Sequence, residues 1–237
     1  MPARLARAPV LPVSPLPSMS SLPVHVVRFD VPGADLVLIN HLFSHDVSQE
    51  LLLVLRRDIP WSQQSVTVHK HDGPTQVLEP RFTSFMADVG VQYSYSGKDN
   101  TGVGWSKPIF QLKCLVENAL ARLCGLQGIY FNAVQLNMYI GNHQSLGLHA
   151  DDEPDLDPNS PIASVSFGVP RDFTIARKDN RSSQWSLKLQ HGSLLVMSGN
   201  MQKLYVHGVP CGFHQHEGAR FNLTFRVCRP RETRNAT

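Results

Sequence analysis

The sequence predicts a mainly β domain with flanking helices, an α+β fold, on three observations. After residue 128 helical signals nearly vanish, and short apolar–polar alternations take over at 131–140, 163–169, 173–176, 185–189, 193–197, 204–209 and 221–227. Gly, Pro, Asn and Asp punctuate these segments, as they do between the short strands of a β-sandwich or barrel. Before residue 128 two stretches carry the helical period instead, which sets helices beside the sheets rather than within them.

Taken in order, residues 1–24 hold six of the 17 prolines, two arginines and no acidic residue, Asp30 being the first in the chain. That composition cannot bury enough apolar surface to order itself, so a flexible arm is expected, followed by one domain over 25–237. An Arg-bearing, acid-free start also allows an organelle transit peptide, although the prolines oppose a long amphipathic helix. Residues 47–58 read as a helix stopped before Pro60. Residues 108–123 read as a second: Pro108 sits in the first turn, Gly125 follows the end, and Leu112, Leu115, Val116, Ala119, Leu120 and Leu123 form an apolar stripe.

Composition excludes several classes. Hydrophobic residues make up 42% and charged residues 17%, so a core can form and disorder throughout is excluded. The longest uninterrupted apolar run is the five residues Leu51 to Leu55, against the roughly 20 needed for a membrane span. Four cysteines, Cys114, Cys124, Cys211 and Cys228, show no CxxC spacing. They read as reduced thiols of an intracellular protein, with Cys114 and Cys124 as core residues of the second helix. The net charge of +3 announces no partner. From Arg171 onward, however, 11 basic residues face 4 acidic ones, a local surplus of +7. Asp151, Asp152, Glu153, Asp155 and Asp157 crowd five carboxylates into seven positions, which calls for a compensating cation or basic neighbours.

His149-Ala150-Asp151 is the first motif with chemistry in it. On a strand, residues i and i+2 share a face, so imidazole and carboxylate can converge on one ion. His207, in the alternating Tyr205-Val206-His207, is the candidate third ligand. Two His and one carboxylate on one face of an ion form the facial triad of Fe(II) oxygenases. His69-Lys70-His71 and His214-Gln215-His216 are equally plausible metal pairs by spacing alone. As a strand, residues 220–226 place Arg220, Asn222, Thr224 and Arg226 on one face and Phe221, Leu223 and Phe225 on the other. Such a strand is either an edge with its polar face in water or a polar wall in a barrel mouth. In a barrel mouth two guanidinium forks can hold the carboxylates of 2-oxoglutarate. Asn137 and Tyr139 repeat the pattern opposite Leu136, Met138 and Ile140.

Together these residues resemble the AlkB family of iron(II)- and 2-oxoglutarate-dependent nucleic-acid dealkylases. The resemblance runs from about Pro80 to Arg229. Its markers are Pro80-Arg81, Tyr93-Ser-Tyr95-Ser-Gly97, Asn137-x-Tyr139, His149-x-Asp151-Asp152-Glu153, the stretch from Ser160 to Gly168, His191-Gly-Ser-Leu-Leu195, His207 and Arg220-x-Asn222-x-Thr224-x-Arg226. The HxDDE form and the Tyr-x-Tyr-Ser-Gly segment look most like the animal nuclear homologues that repair DNA.

The resemblance implies a double-stranded β-helix, or jelly roll, buttressed by N-terminal helices. It implies Fe(II) on His149, Asp151 and His207, and 2-oxoglutarate held by Asn137, Tyr139, Arg220, Asn222 and Arg226, with Thr224 lining its pocket and O2 as oxidant. Arg81, Tyr93, Tyr95, Asp152 and Glu153 would contact substrate, the tyrosines from a lid over a flipped base. Carboxylates and aromatic faces favour the positive ring of 1-methyladenine or 3-methylcytosine. Demethylation would release formaldehyde and succinate, and the basic surplus, densest at Arg177, Lys178 and Arg181, would meet phosphates. The expected partner is alkylated DNA or RNA, the expected location the nucleus, and the expected state a monomer with no membrane attachment. Duplex-opening relatives insert an apolar finger before the Pro-Arg motif, whereas the stretch from Val68 to Gly73 is polar here. Single-stranded substrate is therefore favoured, unless Phe82 or Phe85 does the wedging. A 2-oxoglutarate oxygenase acting on protein or small molecules, and a non-catalytic nucleic-acid binding module, are the competing functions.

Overall fold

The computed structural model describes residues 24–70, 73–212 and 218–230. Apart from Val24, the proline-rich arm lies outside them, as do His71 and Asp72 of the polar stretch after Val68, and His214 and His216. Strands β1 (His25–Val31) and β2 (Ala34–Asn40) lead into helix α1 (His45–Arg57). Two hairpins, β3 (Ser65–Lys70) with β4 (Gly73–Leu78) and β6 (Gln92–Tyr95) with β7 (Lys98–Thr101), flank β5 (Phe82–Ala87). Helix α2 (Lys107–Ala119) runs on into a π-helical turn over Leu120–Cys124. There follow β8 (Ala133–Ile140), β9 (Leu146–His149), β10 (Ile162–Gly168), β11 (Arg171–Arg177), β12 (Gln184–Leu189) and β13 (Ser193–Gly199). A short helix α3 (Met201–Leu204), β14 (Tyr205–Val209) and β15 (Ala219–Arg226) complete the described chain.

The strands form a seven-stranded sheet in the order β1-β2-β13-β10-β15-β8-β5, facing a four-stranded sheet β12-β11-β14-β9. The seven segments expected after residue 128 are all strands, with ends shifted by one or two residues. The main addition comes before it: β1, β2 and β5 contribute three strands to the larger sheet.

Alternation decides what each face does. On β15 the residues Phe221, Leu223 and Phe225 point away from the smaller sheet into a core shared with α1 and α2, where Leu55, Ile109, Val116 and Leu120 are fully buried. The same side of β8 gives Val134 and Leu136, and of β10 Ala163, Val165 and Phe167. A second core lies between the sheets, built from Leu36, Leu38, Leu195, Met197, Phe173 and Ile175. It stops short of the β10–β15–β8 region, whose inward face carries polar side chains. β15 is therefore a central strand buried on both faces, not an edge.

The helices begin and end where their sequences dictate. Ser44 caps α1, its hydroxyl accepting the Val47 N–H at 3.3 Å. Pro108 opens α2, and Gly125 closes the π turn in the left-handed conformation at φ 74°. The stripe on α2 faces the sheet, with Leu112, Val116, Ala119 and Leu120 buried. Cys114 departs from expectation: it faces solvent, while Cys124 is half-buried. Its position, two residues past Leu112, turns it off the apolar stripe.

Candidate active site

His149 and His207 are cross-strand partners on β9 and β14, with ring centroids 4.5 Å apart. The ladder is irregular between His207 and Val209, and Gly208 sits in the irregularity. A Cβ on Gly208 would lie 2.6 Å from the Leu146 carbonyl oxygen, so only glycine lets β9 approach this closely. Asp151 follows on the coil beyond β9, and ligand atoms of all three residues lie within 4.8 Å of one another.

Local bonds aim these groups. His149 Nδ1 donates to the Gly147 carbonyl at 2.9 Å, leaving Nε2 free on the Asp151 side, 3.6 Å from Oδ1. His207 Nε2 lies 3.9 Å from Asp151 Oδ2. The Asp151 N–H is held by the side-chain oxygen of Gln202 on α3 at 2.9 Å. Behind Asp151, Arg226 donates to Oδ2 through Nη2 at 2.9 Å and Nε at 3.3 Å.

Protonation suits a cation. Burial opposes the charge on Asp151, but the Arg226 guanidinium and the two imidazoles outweigh it and hold the carboxyl well below the usual range. Burial, reinforced by the neighbouring His149, pushes His207 down to about 3, so it stays a neutral donor. Burial also disfavours charge on His149, yet the adjacent Asp151 carboxylate and the Gly147 carbonyl raise it above its ordinary value. One carboxylate and two imidazoles, two of the three already in ligand form, make a donor set that could hold a divalent metal.

A second group of residues lines the β15–β8 face. Arg220 and Tyr139 are cross-strand partners, the guanidinium 5.2 Å from the ring centroid. Arg220 donates to Ser166 Oγ at 3.1 Å, but its Nε and Nη1, the Tyr139 hydroxyl and Arg226 Nη1 are buried with no hydrogen-bond partner among the described residues. Burial lowers the Arg220 pKa, and no described carboxylate compensates it. Buried donors left open in this way fit a bound anion with several acceptor oxygens. Asn222 is spoken for: its amide donates to Ser164 Oγ at 2.7 Å and to the Val165 carbonyl at 3.2 Å. Its oxygen accepts from Thr224 at 3.1 Å and from Asn137 at 3.4 Å. These three residues thus brace the wall from which Tyr139 and Arg220 extend.

A cavity of about 530 Å³ opens over His149 and Asp151, lined also by Glu153, Arg226, Asn137, Arg81 and both tyrosines of the β6–β7 hairpin. Tyr93 stacks on Tyr95 at 5.6 Å and on Phe85 at 6.0 Å, with Arg226 5.6 Å from its ring centroid. Glu153 is half-buried, its Oε2 has no described partner, and burial together with Asp151 raises its pKa. Arg81 donates to Asn137 Oδ1 at 2.7 Å.

The acidic run divides. Asp152 reaches outward to Lys178 at 2.8 Å. Asp155 accepts the Ser94 N–H at 2.8 Å and so ties down the tyrosine hairpin. Asp157 stays local, accepting the Asn159 N–H. Arg177 pairs with Asp179 at 2.6 Å, so two of the three clustered basic residues are already matched with carboxylates. Phe82 and Phe85 lie within β5, hydrogen-bonded into the larger sheet, and not on a projecting loop. Sequence reasoning missed Glu79, Lys98, Arg171 and Gln202. Arg171 is buried and donates to the carbonyls of Gly141, Gln144 and Pro210, pinning the loops beside β9 and β14. Only Glu79 had a signal, its place beside Pro80-Arg81; the others are polar residues in ordinary strand or helix positions.

Fold and site define a class. Residues 35–226 match the 2OG-Fe(II) oxygenase superfamily. The chain is 34% identical to a protein of Arabidopsis thaliana named DNA oxidative demethylase ALKBH2, over 82% of this chain and 67% of that one. It is 33% identical to the Bos taurus alpha-ketoglutarate-dependent dioxygenase alkB homolog 3, over 74% of this chain and 60% of that one. A solved structure of OsALKBH1 shares the fold with a TM-score of 0.61 at 18% identity, covering 86% of this chain and 100% of that one. The chain belongs to the 2OG-Fe(II) oxygenase superfamily and, within it, to the AlkB family. The jelly-roll core accords with that membership, as do iron(II), 2-oxoglutarate and oxygen as reactants. Among the described residues no helix is long and apolar enough to cross a membrane.

Proposed function

We propose that this chain is an oxidative demethylase of N-alkylated bases in nucleic acid, acting on 1-methyladenine and 3-methylcytosine. The observation that carries this reading is the shared cavity, in which His149 and Asp151 face Tyr93, Tyr95 and Glu153. Stacked aromatic rings and an unpaired carboxylate favour a flat, positively charged ring. The demethylase names of the relatives support a DNA substrate.

His149, Asp151 and His207 would hold iron, and Arg226 would keep Asp151 ionised as a ligand. Arg220 and Tyr139, with their open donors, would take a carboxylate of 2-oxoglutarate on the wall braced by Asn137, Asn222 and Thr224. When bound, iron, 2-oxoglutarate and oxygen would supply hydroxylation of the N-methyl carbon, one oxygen atom going to that carbon and the other to the succinate formed as 2-oxoglutarate loses carbon dioxide; the hemiaminal would then release formaldehyde and the unmethylated base. The chain's own part is to orient the methyl group and exclude water. Tyr93 and Tyr95 would stack on the base, Arg81 would border it, and Glu153 would sit at its exocyclic amine, whereas Asp152 is turned outward to Lys178.

Single-stranded substrate is favoured. Opening a duplex costs a few kcal/mol, the stretch from Val68 to Gly73 is polar, and Phe82 and Phe85 are committed to the sheet. One chain supplies every group named, so a monomer suffices, and a DNA substrate points to the nucleus. The test is a formaldehyde-release panel of 1-methyladenine and 3-methylcytosine in matched single- and double-stranded DNA and RNA at one salt concentration. Release from at least one methylated base, with single strands turned over more efficiently, is expected. No release from any substrate would overturn the assignment, and a higher kcat/KM on duplex would overturn the strand preference.

A further inference from the structure

We propose that Glu79 is a positioning residue that couples the tyrosine hairpin above the substrate to the wall of the co-substrate pocket, so that a methylated base seated under the hairpin promotes productive 2-oxoglutarate turnover. This rests on the proposed function, because it needs a base under Tyr93 and Tyr95.

Glu79 is 1% exposed and lies between β4 and β5, just outside the strands whose side chains form the site. Both carboxylate oxygens are fully engaged. Oε1 accepts the Tyr95 hydroxyl at 3.0 Å and meets Arg81 Nη2 at 3.4 Å. Oε2 accepts the Thr83 hydroxyl at 3.0 Å and Lys98 Nζ at 3.3 Å. Lys98 in turn donates to the Tyr95 hydroxyl at 3.2 Å and to Thr83 at 3.1 Å. One buried charge thus binds two residues of the hairpin, Tyr95 and Lys98, to two of the β5 region, Thr83 and Arg81.

From Arg81 the bonds continue inward. Its Nε reaches Asn137 Oδ1 at 2.7 Å, and Asn137 reaches Asn222, which holds Thr224 and Ser164. The path runs without a gap from the hairpin to the wall that carries Tyr139 and Arg220. Two discrete ends joined by buried, satisfied polar bonds are the arrangement through which a shift at one end is felt at the other.

The Tyr95–Lys98 end of the hairpin is the part that Glu79 positions. A two-stranded hairpin is marginal by itself, and β6–β7 pairs with no other strand. Besides Glu79 it is held by Lys98 on Thr83, by Asp155 on the Ser94 N–H, by the Ser96 carbonyl on Thr67, and by Tyr93, which is buried against Phe85 and Arg226. Tyr93 is anchored by core packing, whereas the placement of Tyr95 and Lys98 over the cavity depends on the Glu79 junction. A base stacked on the tyrosines would tighten that junction, and Arg81 would be drawn with it against Asn137.

The experiment uses the full chain loaded with Fe(II) and measures succinate and formaldehyde together, with and without a single-stranded 1-methyladenine oligonucleotide. In the wild-type protein the oligonucleotide is expected to stimulate succinate formation, with one formaldehyde per succinate. In Glu79→Gln, which keeps the shape but loses the charge, formaldehyde per succinate should fall below about half, and the stimulation should drop at least about fivefold. Lys98→Met removes a tie from the hairpin side only and should lower the same ratio while leaving substrate-free succinate formation within about twofold. It carries the decision alone if Glu79→Gln does not fold. A ratio and stimulation equal to wild type in the folded variants would overturn the coupling while leaving the demethylase assignment standing. A wild-type protein that forms no succinate or formaldehyde would overturn that assignment and the coupling with it.

Discussion

Arg226 donates twice to one oxygen of Asp151, at 2.9 and 3.3 Å, so the carboxylate that faces two imidazoles is backed by a buried guanidinium. The same arginine keeps Nη1 open and lies against the Tyr93 ring. A single side chain thereby touches the candidate metal ligand, the co-substrate wall and the lid.

Arg226→Met should cost both stability and activity. Breaking a buried pair by removing one partner costs about 3–5 kcal/mol, which for a domain of this size lowers Tm by roughly 10 °C. Thermal unfolding of the metal-free protein isolates this effect from iron binding. A Tm within about 2 °C of wild type would mean that Asp151 finds another partner or protonates at little cost.

His207→Ala should abolish turnover and lower iron occupancy, read by metal analysis after desalting. Adding Fe(II) to the wild-type apoprotein should raise its Tm, because a ligand that binds only the native state stabilises it by mass action. The same addition should leave the variant's Tm unchanged. An active, iron-replete variant would move the third ligand to a histidine outside the described residues, His214 or His216.

Arg220→Lys keeps the charge and loses the fork. The lost charge-assisted hydrogen bonds are worth about 1.5–3 kcal/mol, so the 2-oxoglutarate KM should rise roughly tenfold to hundredfold. Steady-state succinate formation at saturating oligonucleotide measures it. A KM equal to wild type would detach Arg220 from the co-substrate.

Glu153 gives the pH dependence its sign. Burial and the charge of Asp151 raise its pKa, so the carboxylate is protonated at a higher pH than an exposed one. Its attraction for a cationic base is absent below that pKa and appears as pH rises through it. The KM for a 1-methyladenine oligonucleotide should therefore fall as the pH is raised from mildly acidic to neutral. Glu153→Gln should flatten that change, and an identical profile in the variant would remove Glu153 from substrate binding.

Much of the site was legible because strand alternation is a local property. The two-residue period alone sorted Arg220, Asn222, Thr224 and Arg226 from Phe221, Leu223 and Phe225; the strand expected to carry both His149 and Asp151 ends at His149, and Asp151 reaches the site from the coil that follows. Helix α2 could be read for the same reason: Pro108, the apolar stripe and Gly125 are near neighbours in sequence. β1 and β2 were not read as strands. In β2 the run Leu36-Val37-Leu38-Ile39 is apolar on both faces, so no alternation marks it.

The sequence by itself determined which side chains share a face; only the tertiary structure decided what each face meets. Periodicity could not say whether the polar side of β15 looks at water or at a pocket. That answer came from β10 and β8 pairing on either side of it, with the smaller sheet closing over the top. Nor could it tell that Glu79 is buried among Tyr95, Lys98, Thr83 and Arg81 while Asp152 reaches a surface lysine, since both are ordinary carboxylates in the sequence. Burial and charge pairing are set by segments that are distant in the chain and meet only on folding. The chemistry of His207, Arg226 and Glu79 therefore belongs to the packed molecule, although each residue is written in the sequence.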